Sequence, residues 1–303
     1  FLICSFLHLD CIFTKTKFHN ISNMMNHFIL KIKSNKITLM LIVLISIIVL
    51  YTGFRHQQIA QAIVYLFTCF LSALVIDFLA FKFPIKSSLQ VKKPIKETII
   101  FFACLIGGLL FLFFRFSGYV DWEHLNGLIK LALIPFILCV FPVALAICLF
   151  FMRYTPKGLG LRFQRIWWAF PVILFYGIAS RIVAPERLTW DLLMAEEGSV
   201  LNLIFTGLIV AGLSEEFFKC IGQTRLGALL KNNGLAWFIT TVIWAFMHAP
   251  KWYGEDPNIL ETILSSIRII PIGLVWGYLT HRSKSFVPAT LVHGANFWGL
   301  QNF

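Results

Sequence analysis

The sequence predicts an all-α, polytopic transmembrane helix bundle, and three observations carry that expectation. Charged residues make up 13% of the 303, against roughly 25% in a soluble domain, which is too few to cover a water-facing surface. The mean hydropathy is +0.80, so most side chains need apolar surroundings. Apolar residues also follow one another in continuous runs rather than alternating, which favours helices over the strands of a membrane barrel.

Nine stretches approach the roughly 20 apolar residues that a spanning helix needs: 37–54, 58–81, 98–116, 128–152, 167–183, 200–221, 234–252, 259–280 and 285–303. The fifth and ninth are short and rich in Gly, Pro or polar groups. The charge of the connecting segments orders all nine. Lys31, Lys33 and Lys36 precede the first; Lys82, Lys86, Lys92, Lys93 and Lys96 follow the second. Arg153, Lys157, Arg162 and Arg165 follow the fourth, Arg225 and Lys231 close the sixth, and Arg282 and Lys284 follow the eighth. The alternate connections carry Asp121, Glu123, Glu186, Asp191, Glu196, Glu197, Glu255 and Asp256. Basic loops mark the cytoplasmic face, so about nine spans with a cytoplasmic N-terminus are expected. Trp122, Trp167, Trp168, Trp190 and Trp252 fall near span ends, as an interfacial aromatic belt requires.

The chain divides accordingly into a basic N-terminal segment, 1–36, four N-terminal helices over 37–152 and a C-terminal unit over 153–303. Met24 and Met25 precede a basic, apolar stretch, so residues 1–23 are expected to be an over-extended reading or a remnant of a longer chain. A cleaved signal peptide is not expected, because no basic region opens the chain and no small-residue cleavage site follows the first long span. The net charge of +12 lies between apolar spans and forms no stripe interleaved with aromatics, so the implied partner is a lipid bilayer and not nucleic acid. Ile/Phe/Lys/Asn-rich usage points to an AT-rich bacterial genome, hence a bacterial plasma membrane. Cys69, Cys104, Cys139 and Cys148 lie inside apolar spans and read as packing residues.

Ionisable groups inside spans are costly and mark function by default. Asp77, Arg115 and Lys130 lie close enough to span ends to snorkel or meet headgroups. Arg268 lies deeper and is expected to pair with an acid. Glu215 and Glu216 are adjacent carboxylates continuous with the sixth span, and Lys219 follows at the spacing of a helical ion pair. That pairing alone would account for a structural role. His248, near the end of the seventh span, and His293, in the ninth with Asn296 close behind, add polar groups on two more helices. Two acids, two imidazoles and an amide in apolar spans fit acid–base chemistry better than packing. Gly212, Gly222, Gly273, Gly277, Gly294 and Ala295 allow close helix approach.

These residues resemble the CPBP intramembrane proteases, which include CAAX prenyl endopeptidases and bacteriocin-processing or self-immunity proteins. The family pattern is a Glu-Glu pair with Arg four residues after the second Glu, then Phe-x-x-x-His, then His-x-x-x-Asn. Glu215-Glu216, Trp244 through His248 and His293 stand in that order, and the approach from Gly273 through Pro288 to His293 is similar too. The resemblance covers about 156–300. Cys220 replaces the Arg, Trp244 replaces the Phe, and Phe297 takes the amide's place, with Asn296 one residue early and about 100° away around a helix. The resemblance implies an intramembrane endopeptidase acting on a membrane-associated, prenylated or peptide substrate. In it Glu215 and His248 activate water, His293 and Asn296 stabilise the oxyanion, and Glu216 positions a neighbour. No metal cofactor is expected, because no His-Glu-x-x-His stands on one helix and a Glu-Glu pair with a nearby Lys suits water activation without one, although two His and a Glu are also a hydrolytic zinc set. The competing classes are an inactive regulator or immunity scaffold, a proton-coupled transporter, for which no inverted repeat is seen, and a glutamic-type membrane protease.

Overall fold

The computed structural model describes residues 21–85, 88–116, 142–183, 198–296 and 301. Among them every regular element is helical. The sequence readings for Lys86, Asp121, Trp122, Glu123, Lys130, Cys139, Glu186, Trp190, Asp191, Glu196, Glu197 and Phe297 lie outside the described residues, as does the side chain of Arg115.

Helix α1 (Ile21–Arg55) and α2 (Ile59–Lys82) form an antiparallel hairpin. Gln57 turns the chain between them at φ 58°, and Gly53 lets the helices meet: a Cβ there would lie 2.5 Å from that of Ala62. One face of α1 is exposed through Ile37, Met40, Leu44, Ile47, Tyr51 and Phe54, a continuous apolar stripe suited to a lipid-facing surface. Helix α3 (Pro94–Phe116) and α4 (Pro142–Phe151) follow. Helix α5 (Ala169–Val183) is entered through a 3-10 turn at Ile166–Trp168.

The longest rod among the remainder is α6 (Val200–Leu230), capped by the Ser199 hydroxyl on the Asn202 amide. Its 31 residues reach roughly 45 Å, well beyond the ~30 Å hydrocarbon core. Residues Phe205–Leu213 are wound as a π-helix, and the α-helix resumes at Ser214. Helix α7 (Asn233–Phe246) is capped by Asn232, and Pro250 ends its course and opens the short α8 (Ala249–Glu255). Helix α9 (Ile259–Arg268), capped by Asn258, continues as α10 (Ile270–Ser283) across a break at Pro271. Tyr65 of α2 stitches that break, donating to Arg268 O (2.9 Å) and accepting from Ile272 N (3.0 Å). Helix α11 (Val287–Gly294) completes the described bundle.

Among the described residues, five segments are long and apolar enough to cross a membrane: Lys36–Arg55, Ile59–Lys82, Ile166–Val183, Val200–Leu230 and Ile259–Ser283. They coincide with the first, second, fifth, sixth and eighth expected spans. The seventh and ninth are helical but run for only 14 and 8 residues, because Pro250 interrupts one and Gly294 ends the other. The chain is an integral membrane protein on these grounds.

The largest core cluster joins both halves of the chain. Tyr65, Trp168, Tyr176, Trp276 and Tyr278 are all 2% exposed or less and pack as one body. Cys69 lies buried in the same cluster as a free thiol, in keeping with a packing role. Asp77 departs from expectation. It does not snorkel: Tyr278 donates to its Oδ1 and Arg282 lies 3.2 Å from the same oxygen. A partner on α10 is within reach, so the carboxylate has no need of the interface.

Candidate active site

The acids reach their place because α6 changes its winding just before them. A π-helix carries more residues per turn than an α-helix and often marks functional positions. Here it ends at Leu213, and Ser214, donating to Val210 O, begins the α-helical turn that carries Glu215 and Glu216. Helix α11 lies directly against the π segment. A Cβ on Gly212 would lie 2.6 Å from Thr290 O, and one on Gly294 would lie 2.8 Å from Gly207 O. Backbone contact at that range requires glycine, and it brings His293 to the glutamates.

Each histidine is held at Nδ1. The carbonyl of Trp244, left without a helical partner at the end of α7, lies 3.0 Å from His248 Nδ1. A carbonyl only accepts, so Nδ1 carries the proton and Nε2 the lone pair. His293 Nδ1 lies 2.9 Å from Glu216 Oε1, with the same consequence for its own Nε2 when neutral. Both free nitrogens face one atom: Glu215 Oε2 is 4.0 Å from His248 Nε2 and 3.8 Å from His293 Nε2. A water ~2.8 Å from the carboxylate and from either imidazole fits above such an edge. Tetrahedral zinc would set its N and O ligands roughly 3.3 Å apart, a tighter arrangement, and among the described residues no His/Cys/Asp/Glu group has metal-holding geometry.

Burial separates the two acids. The Glu215 side chain is 30% exposed and that of His248 29%, whereas Glu216 is fully buried. Lys219 Nζ lies 2.7 Å from Glu216 Oε1 as an ion pair off the hydrogen-bond line. It also sits 4.3 Å from the ring centre of Trp244 and 4.9 Å from that of Trp276. Two indole faces and a carboxylate thus surround a buried ammonium, as its desolvation demands. Glu216 Oε2 is buried with no partner among the described residues.

Sequence reasoning missed the tryptophans. Trp276 stacks on His293 at 3.9 Å and 21°, Trp252 stacks on His248, and Trp244 meets both imidazoles edge-on. Trp244 Nε1 also donates to Glu215 Oε2. The signal was present at Trp244, where the family pattern has Phe, and in the Trp276 that stands between Gly273 and Gly277. Cys220 explains itself locally. Its thiol is buried, donating to Leu159 O at 3.7 Å, and the loop at Gly160 crosses directly against it. That loop fills the space a longer side chain would need. Asn296 stands just beyond α11, donating to Gln301 Oε1 (3.1 Å), and its own Oδ1 is buried without a partner among the described residues.

Fold and site together define a polytopic helical membrane protein with a glutamate–histidine centre inside the bundle. Residues 197–298 match the family model described as Rce1-like, type II CAAX prenyl endopeptidase Rce1-like. The matched segment contains Glu215, Glu216, His248, His293 and Asn296, and the match agrees with the CPBP resemblance. No curated protein and no solved structure matches the chain.

Proposed function

We propose that the chain is an intramembrane endopeptidase in which Glu215, assisted by His248, deprotonates a water for attack on a peptide bond. One observation carries this reading: Glu215 Oε2 faces the unprotonated nitrogens of two imidazoles at 4.0 and 3.8 Å, each ring anchored through its other nitrogen. The half-open side of the centre, at Glu215 and His248, admits substrate and water. The family model supports a CAAX-type peptide as substrate class.

His293 donates from Nε2 only as the imidazolium, whose Nδ1 proton Glu216 then accepts. In that form it stabilises the oxyanion of the tetrahedral intermediate, a contribution of about 3 kcal/mol for one well-placed donor. The proton taken from water passes through Glu215 or His248 to the leaving amine. Lys219, balanced by Glu216 and two indoles, supplies the positive charge that the family places on Arg. Asn296, whose amide donates to Gln301 in this arrangement, leaves the oxyanion to His293 unless substrate draws it away from Gln301. The wider reading assigns nine spans with a cytoplasmic N-terminus and divides the chain into 1–36, 37–152 and 153–303. It places the protein in a bacterial plasma membrane, where immunity to bacteriocins is a role found in the CPBP family.

The test uses the full chain in nanodiscs with an internally quenched peptide ending in a farnesylated CAAX tetrapeptide, and its unprenylated counterpart. Wild type is expected to release the C-terminal tripeptide, unaffected by a chelator. Glu215→Gln and His248→Asn each lower kcat at least about 100-fold. Equal cleavage by wild type and Glu215→Gln removes the mechanism.

A further inference from the structure

Position 244 is where this chain departs from its family in the middle of the site, and the departure adds one polar atom. A Phe there would still meet His248 and His293 with its edge and offer a face to Lys219. An indole adds an N–H, and that N–H is directed at Glu215 Oε2. We propose that Trp244 is a positioning residue: its N–H fixes the Glu215 carboxylate with Oε2 turned toward both imidazoles. The proposal rests on the endopeptidase reading above.

Three features of the surroundings support it. The slot for the indole is built in, since a Cβ on Gly273 would lie 2.5 Å from Trp244 Cζ3 and 2.8 Å from its neighbour on the ring. The ring also meets Trp276, on the same helix as Gly273, edge-on at 5.6 Å. It is 4% exposed, although the acid it touches is open to the medium. The carboxylate at the open side of the site therefore receives its fixed donor from a residue that cannot swing away. A carboxylate oxygen accepts two hydrogen bonds. The indole occupies one of these directions at Oε2, which leaves the other for a water between the imidazoles. The same residue also presents its backbone carbonyl to His248 Nδ1. One side chain and its own carbonyl thus orient both partners of the proposed base.

The role is kinetic and separable from packing. Trp244→Phe keeps the aromatic contacts, and benzothienylalanine at 244, with sulfur in place of the N–H, keeps the bicyclic shape as well. Both are expected to lower kcat about tenfold with KM within about twofold, while the melting temperature of the benzothienylalanine protein stays at the wild-type value. Indole resonances give an independent readout. The chain has nine tryptophans, so the Trp244 N–H is assigned in a 15N-indole spectrum as the peak lost in Trp244→Phe, and it should move upfield in Glu215→Leu. Wild-type kcat in the benzothienylalanine protein, with Glu215→Gln inactive, overturns the positioning role and leaves the protease reading in place. A Trp244 resonance unmoved in Glu215→Leu overturns it as well. Equal cleavage by wild type and Glu215→Gln removes the protease reading and the positioning role together.

Discussion

Helix α6 contributes to two carboxylate centres, carrying Glu215 in one and the partner of Glu97 in the other, and the contrast between them separates a structural acid from a reactive one. Toward its end, Arg225 Nε reaches Glu97 Oε2 at 2.9 Å. Glu97 Oε1 accepts from Lys92 N (3.1 Å), Lys93 N (2.7 Å) and the Tyr154 hydroxyl (2.7 Å). Burial and the bond to Glu97 push that hydroxyl up to about 12, so it remains a donor throughout the physiological range. Glu97 and Arg225 are at most 1% exposed, and the guanidinium also lies over the Tyr154 ring. Every contact of this carboxylate is a fixed donor, as a buried charge requires.

Glu215 is the opposite case. Its hydrogen-bond donor among the described residues is one indole N–H, and its other close neighbours are nitrogens presenting lone pairs. Such a group lacks the hydrogen bonds that would make it structural, and its exposure lets water supply them. The lesson is that presence of an acid inside a bundle is not enough: the number of fixed donors around it tells anchor from base. Asp77, held by Tyr278 and Arg282 at the edge of the bundle, groups with Glu97.

The largest expected effect breaks the anchor. Glu97→Gln leaves Arg225 buried without a counter-charge and should destabilise the protein by about 3–5 kcal/mol. Glu215→Gln should shift stability by no more than about 0.5 kcal/mol. Thermal unfolding in one detergent measures both. Replacing Glu97 and Arg225 together by leucine should recover part of the loss, because no orphaned charge remains. If Glu215→Gln costs as much as Glu97→Gln, the distinction between the centres fails.

A smaller effect concerns the position where family and chain differ on the same helix. Restoring the family residue with Cys220→Arg drives a long cation into the space closed by Gly160, Leu159 and Phe286. Overpacking of this kind costs about 1–3 kcal/mol. The expected outcome is a lower melting temperature with no gain in cleavage of the farnesylated peptide. A variant both stable and more active would show that Lys219 does not fill the place of the Arg.

How far the sequence reaches follows from the range over which each signal acts. Helical class and the long spans are local properties of composition, so Ile59–Lys82 and Val200–Leu230 are legible at once. The glutamates and histidines are legible because lipid makes them expensive. Helix ends set by tertiary contacts are less so: Pro250 marks the end of α7, but nothing local announces that α11 closes at Gly294 against the π segment. Asp77 reads as a span-end residue because its partners, Tyr278 and Arg282, stand some 200 positions away. Trp244 reads as one aromatic exchanged for another because an indole N–H matters only once an acceptor on another helix is in place.

The smallest expected effect sharpens the reading of the oxyanion site. Asn296 donates to Gln301 and leaves its own Oδ1 buried and unpartnered, so Asn296→Ala removes one hydrogen bond together with an unsatisfied polar atom. Stability should barely move, since the two contributions oppose each other. In this arrangement the amide donates to Gln301, and kcat should fall by less than about threefold, against at least about 100-fold for His293→Ala. Single-turnover cleavage of the farnesylated peptide separates these values from any change in product release. A loss of 100-fold or more in Asn296→Ala, at unchanged melting temperature, would mean that substrate draws the amide away from Gln301 and into the site. The oxyanion would then rest on two donors, with the amide gained only in the bound state.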